Sequence, residues 1–107
     1  MNRVLRELAG GDLRSEGSAE DVAVEIITDP GLLPELAEGL GSDDKLIRAR
    51  TCMTMESISR QQPHLLERVL PQLIQLASTD TVPQVRWHLA QIFDRVPLSS
   101  GQAEGLL

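Results

Sequence analysis

Apolar residues recur along this chain at helical spacing, and turn-forming residues interrupt them at short intervals. Val4, Leu5 and Leu8 share one side of a short helix over residues 3–9, which Gly10-Gly11 ends. A loop follows over residues 12–17, and Ser18 is placed to N-cap a second helix reaching Thr28. That helix carries Ala19, Ala23, Ile26 and Ile27 on one face, and Asp29-Pro30-Gly31 turns the chain after it. The third helix covers residues 32–40, with Leu33, Leu36 and Leu40 aligned and Gly41 as its C′ residue. A fourth starts after Ser42-Asp43-Asp44, with an acidic first turn, and runs to Arg60 on Ile47, Thr51, Met55 and Ile58. Pro63 opens a fifth over residues 63–77, in which Pro71 predicts a kink. The sixth spans residues 83–95 on Val85, Leu89, Phe93 and Val96, and stops at Pro97. Residues 98–107 read as the beginning of a seventh helix, and no segment reads as a strand.

The pattern is written twice. Pro34 and Pro71 lie 37 residues apart (71 − 34), each opening a Leu-rich run that an aspartate follows, Asp43 or Asp80. A β-branched residue beside arginine then starts the next helix, Ile47-Arg48 or Val85-Arg86. A repeat of this length predicts stacked helical pairs, because one pair alone leaves its apolar stripe uncovered.

These residues resemble HEAT repeats. Leu33-Pro34-Glu35-Leu36 with the Asp43 turn and Ile47-Arg48 forms one unit, and Leu70-Pro71-Gln72-Leu73 with the Asp80 turn and Val85-Arg86 the next. More loosely, residues 10–15 and 85–91 are similar to small bacterial HEAT-like proteins of unassigned function. The resemblance covers residues 32–96 well and 1–31 weakly. It implies that Asp43, Asp80, Arg48 and Arg86 tie adjacent repeats together. The expected architecture is all-α: one domain, a short right-handed α-solenoid of about three antiparallel helical pairs. Residues 1–31 form a degenerate first pair, 32–61 and 62–97 the two repeats, and 98–107 a tail or incomplete cap. Three pairs make a short arc, so functions that wrap a large ligand are disfavoured.

Composition narrows the function. Among 107 residues, 41% are hydrophobic but Trp87 and Phe93 are the sole aromatics, which suits helix packing better than a β-sandwich. The net charge is −6, with seven acids and three bases in residues 1–31, so phosphate-backbone binding is disfavoured. Cys52 stands alone, which removes any intramolecular disulfide, and no apolar run is long enough to cross a bilayer. Glu7 falls where a signal peptide needs its apolar core, so the expected location is cytoplasmic.

In HEAT-like proteins the second helices line the concave side. Removing the apolar stripe leaves Ala49, Arg50, Met53, Glu56, Ser57 and Arg60 outward on helix four, and Trp87, His88, Gln91, Asp94 and Arg95 on helix six. Arg50, Met53, Ser57, Trp87, His88, Gln91 and Arg95 make the candidate partner-binding set, rich in types that anchor interfaces. Arg50, His88 and Arg95 would select an acidic protein or peptide. The competing reading is a solvated face with Trp87 against a neighbouring repeat. Acids on helix two (Glu20, Asp21, Glu25) opposite Lys45, Arg48, Arg50 and Arg60 on helix four either orient a dipolar partner or pair locally.

Other chemistry has weaker signals. By the HEAT resemblance Cys52 takes a position that usually holds a small core residue; it has no histidine near it in sequence, and neither His64 nor His88 has a second ligand at i+3 or i+4. No catalytic residue, metal site or cofactor is therefore expected. The carboxylate pairs Glu20-Asp21 and Asp43-Asp44 sit at helix starts, where capping explains them. The Gly10–Gly17 loop lacks the lysine of a phosphate-binding loop. Trp87, Asp94 and Arg95 suit a HEAT-like base-repair glycosylase, which the charge and length disfavour. Leu98, Leu106 and Leu107 would support homodimerisation through an uncapped end.

Overall fold

Proline placement organises the chain, because the ring removes a backbone donor yet suits the first turn of a helix. The computed structural model describes residues 1–9 and 16–96; the Gly10-Gly11 stop, most of the glycine loop, Pro97 and the tail lie outside these. Among the described residues all regular structure is helical. The helices are α1 (Arg3–Ala9), α2 (Glu16–Thr28), α3 (Leu33–Ala37), α4 (Lys45–Gln61), α5 (Leu70–Thr79) and α6 (Pro83–Arg95). A 3₁₀ segment, Pro30–Leu32, leads into α3, another, Glu38–Gly41, continues it, and a third, Pro63–Val69, precedes α5. Pro30, Pro34, Pro63, Pro71 and Pro83 each occupy one of the first two positions of a helical segment.

Four local expectations are corrected. Pro71 does not kink a continuous helix but opens α5, with residues 63–69 held as 3₁₀. Its missing N–H falls where a helix has no internal acceptor to lose, so the α pattern begins there at no cost. Ser18 lies inside α2, which has already started at Glu16. The third helix is α only over Leu33–Ala37 and ends as 3₁₀ into an extended Ser42, without a left-handed Gly41. The first turn of α4 holds no acid; Asp44 is its N-cap, with Oδ1 accepting the Leu46 N–H at 2.9 Å.

The two copies do not keep one offset. Pro34 and Pro71 differ by 37, whereas Arg48 and Arg86 differ by 38 (86 − 48). At the turns, Ser42 Oγ accepts the Asp44 N–H at 3.1 Å as Asp80 Oδ1 accepts the Val82 N–H at 2.9 Å. Arg48 Nη1 donates to Ser42 O at 2.9 Å, and Arg86 Nη1 to Asp80 O at 3.1 Å. Ser42, not Asp43, is therefore the counterpart of Asp80. Asp43 offers Arg48 only its carbonyl oxygen, at 3.2 Å. The 3₁₀ end of the earlier copy makes up the residue: four residues rising about 2.0 Å each span about 8 Å, as five α-helical residues nearly do.

One ion pair joins the turns. Arg48 Nε donates to Asp80 Oδ2 at 2.7 Å, with the carboxylate 2% exposed. Burial alone would raise the Asp80 pKa, but the Val82 N–H, the Arg48 guanidinium and the Thr81 N–H outweigh it and hold the carboxyl below its usual range.

α4 lies between α2 and α6 and also touches α1 and the 3₁₀ segments Glu38–Gly41 and Pro63–Val69. The expected stripes fill the core: Val4, Leu5, Leu8, Ala19, Ala23, Ile26, Leu33, Leu36, Leu40, Ile47, Thr51, Met55, Ile58, Val85, Leu89 and Val96 are all buried. Ile27 and Phe93 sit half-buried at the edge, while Val22 and Ile92 join the centre. Asn2 fastens the first helix: its Oδ1 accepts the Leu5 N–H at 2.9 Å, and its Nδ2 donates to Glu35 O at 2.9 Å. The tightest approach is at Gly39, where an added Cβ would drive into Thr51 Oγ1 and the Leu5 Cδ2 methyl.

Gly39→Ala should destabilise the fold by about 1–3 kcal/mol through overpacking, measured by urea unfolding. The loss should shrink in a Thr51→Ala background; equal losses in both would contradict the contact. Asp80→Asn should cost about 2 kcal/mol by leaving Arg48 without its carboxylate, whereas Asp43→Asn should stay within about 0.5 kcal/mol.

Candidate partner-binding face

Because Arg48 and Arg86 clasp their turns alike, the residues after them occupy matching places. Ala49 and Trp87 correspond, as do Met53 and Gln91, but Ala49 and Met53 pack against the margin of the core. Trp87 is 61% exposed, while Ala49, Met53 and Gln91 are half-buried. Its ring meets His88 edge to face, with centroids 5.0 Å apart at 66°. Leu46 on α4 and Val24 on α2 are exposed as well.

Three of the seven expected contact residues are not on the surface. Arg50 is buried and its Nη1 donates to Leu8 O, a carbonyl at the end of α1. Ser57 is buried and its hydroxyl donates to Glu20 Oε2 at 3.0 Å. His88 is buried with Nδ1 lacking a partner. Glu56, also placed outward by the stripe, is buried and accepts from Arg95. Removing one apolar stripe treats α4 as one-sided; in the fold α2 and α6 flank it, so a second arc of mostly polar residues is enclosed.

Arg95 is exposed, yet its Nη1 is held by Glu56 Oε1 at 2.7 Å and Ser59 Oγ at 3.1 Å. Arg60 Nε lies 3.3 Å from Glu56 Oε1 as an ion pair, and Arg60 Nη2 donates to Glu20 Oε1 at 2.7 Å. The sequence Glu20, Arg60, Glu56, Arg95 thus alternates in sign across α2, α4 and α6. Between the acidic second helix and the basic fourth, Arg60 pairs with Glu20, whereas Glu25 pairs with Arg3 of α1 and Arg48 with Asp80. The Ser57 hydroxyl and then Arg60 hold the Glu20 carboxyl below its ordinary pKa. The exposed links contribute little individually, whereas the enclosed Glu56–Arg95 link fixes the α4–α6 register.

Burial, reinforced by Asp80 and opposed by Arg48, pushes the Cys52 thiol up to about 12, so it stays protonated at neutral pH. No three His, Cys, Asp or Glu side chains group as metal ligands among the described residues, nor is any described helix long and apolar enough to cross a membrane. On the opposite side, between α3 and α5, lie two grooves of about 340 and 290 Å³ that share Ala37, Glu38 and Gln72.

Burial depresses the His88 pKa below 6.5, against the raising influence of Glu56. The unfolded chain therefore takes up a proton that the folded chain refuses, and stability falls as pH drops below about 6.5. His88→Gln should flatten that loss between about pH 6.5 and pH 5.5 in urea titrations, relative to the parent chain. Parallel curves would remove His88 as the cause.

Comparison with protein-family models, curated proteins and solved structures gives no match, so what this face does is read from its own geometry.

Proposed function

We propose that this chain is a non-enzymatic protein- or peptide-interaction module. In this reading α1–α2, α3–α4 and α5–α6 are antiparallel pairs of a short, right-handed, HEAT-like solenoid. The second helices α2, α4 and α6 line its concave side. Packing supports that curvature: α4 packs directly against α2 and α6, whereas grooves separate α3 from α5 on the other layer.

One observation carries the function. Trp87 holds 61% of its surface open to solvent on a helix that Arg86 ties at its start and Arg95 at its end. Beyond its edge contact with His88 the indole stays open to solvent, and tryptophan is among the types most enriched at binding hot spots. Half-buried Met53 and Gln91 supply adaptable contact beside it on the same face.

The test separates contact from stability. A photo-crosslinker placed at Gln91 should capture a protein from a lysate of the source cells, and one at Gln72 on the opposite layer should not. Trp87→Ala should abolish the Gln91 adduct while changing unfolding free energy by less than about 0.5 kcal/mol. An adduct that survives Trp87→Ala, or forms equally at Gln72, sinks this face as the binding surface.

A further inference from the structure

The charge this face offers a partner is not the charge its arginines suggest. Arg60 is shared between Glu20 and Glu56, and Arg95 is held by Glu56 and Ser59. Arg50 is inside the fold on Leu8 O, and His88 is enclosed and kept toward its neutral form by burial. Arg95 Nη1 balances Glu56, whose side chain is only 10% exposed, so the Arg95 charge is already matched within the fold. An enclosed carboxylate stripped of its counter-charge is strongly unfavourable, so that pairing stays in place when a partner arrives.

Arg86, exposed beside Trp87, donates only to the Ala77 and Asp80 carbonyls and keeps its charge at the start of α6, while the unpaired carboxylate of that helix lies near its other end. Asp94 lies seven residues after Trp87, two turns along the same side of α6, and it is exposed with no hydrogen bond or ion pair among the described residues. Asp21, exposed on α2, is likewise without one. Lys45 is exposed at the far end of α4, but Asp43 and Asp44 adjoin it in sequence. A net charge of −6 adds a long-range field of the same sign. The exposed indole also attracts a cation to its π face.

We propose that the α4–α6 face binds a basic peptide segment with an apolar anchor, its anchor against Trp87 and a lysine or arginine directed to Asp94. This rests on the interaction reading above and fixes the sign of the partner. Trp87 is the sole tryptophan, so its emission reports occupancy of this face directly. The probes are two amphipathic peptides without aromatic residues, identical in length and leucine pattern, one with lysine and the other with glutamate at its polar positions.

The lysine peptide should shift Trp87 emission to the blue, with affinity falling about tenfold or more between about 50 and 300 mM salt. Asp94→Lys should weaken it about tenfold, while Glu67→Lys, the same charge change on the segment before α5, should weaken it less than about twofold. Circular dichroism confirms that both variants fold. Tighter binding of the glutamate peptide would overturn the basic-partner assignment and leave the face intact as a binding surface. Equal weakening by Asp94→Lys and Glu67→Lys would reduce the binding to net charge and also overturn it. If neither peptide moves the emission, the α4–α6 face loses its standing as a peptide site altogether.

Discussion

The enclosure of α4 is the constraint on which the other features depend. Ten of its residues are buried, and six of these are polar: Arg50, Thr51, Thr54, Glu56, Ser57 and Ser59. A helix placed between two others and beneath the first helices has to satisfy such groups internally, because an unpaired polar atom away from water costs on the order of 1–3 kcal/mol. The partners come from different elements. Leu8 O at the end of α1 receives Arg50, Glu20 on α2 receives Ser57, and Arg95 on α6 reaches Glu56. Thr54 and Ser59 close back on α4 carbonyls. Each bond to a neighbour therefore also fixes where that neighbour sits, which apolar packing alone would specify less sharply.

Thr51 is the exception, and it sits at the closest approach. Its hydroxyl is buried without a partner and lies over Gly39, where no side chain fits between the helices. The same short 3₁₀ segment that carries Gly39 supplies the extra rise by which one repeat matches the longer other. Close packing at Gly39 and the one-residue difference between the copies thus meet in a single turn. The reward is downstream: with the turns in register, Arg48 reaches Asp80 and the α4–α6 spacing is set.

Much of the scaffold is legible in the chain because apolar periodicity and proline placement are local signals. Ile47, Thr51, Met55 and Ile58 mark the core face of α4, and Pro83 marks the start of α6. The candidate face is less legible. Arg50, Ser57 and His88 look outward because a polar residue off the apolar stripe has solvent as its default, and which helix flanks it is a tertiary fact. Ser42 standing for Asp80 is hidden for a related reason. Asp43 is the better residue match, but hydrogen-bond geometry, not residue type, sets the correspondence. Asn2, bridging α1 to Glu35 O, carries no pattern at all.

The matched clasps of Arg48 and Arg86 turn the repeat into a control for itself. Ala49 and Trp87 follow identical frame residues, so the same backbone position holds the smallest side chain with a β-carbon in one copy and the largest side chain of all in the other. A change of that size inside the core would be overpacking, and cores resist it. Here Ala49 sits half-buried at the margin of the core while Trp87 reaches solvent, so the larger side chain is accommodated outside it. The polar ladder is constrained in the opposite sense: Glu56 is enclosed, so Arg95 is held in place as its counter-charge. Packing thus fixes the arginines more than the indole, whose ring meets only the edge of His88. Divergence between copies at this position, alongside identity in the clasp that supports it, is what motivates the proposal that recognition centres on Trp87.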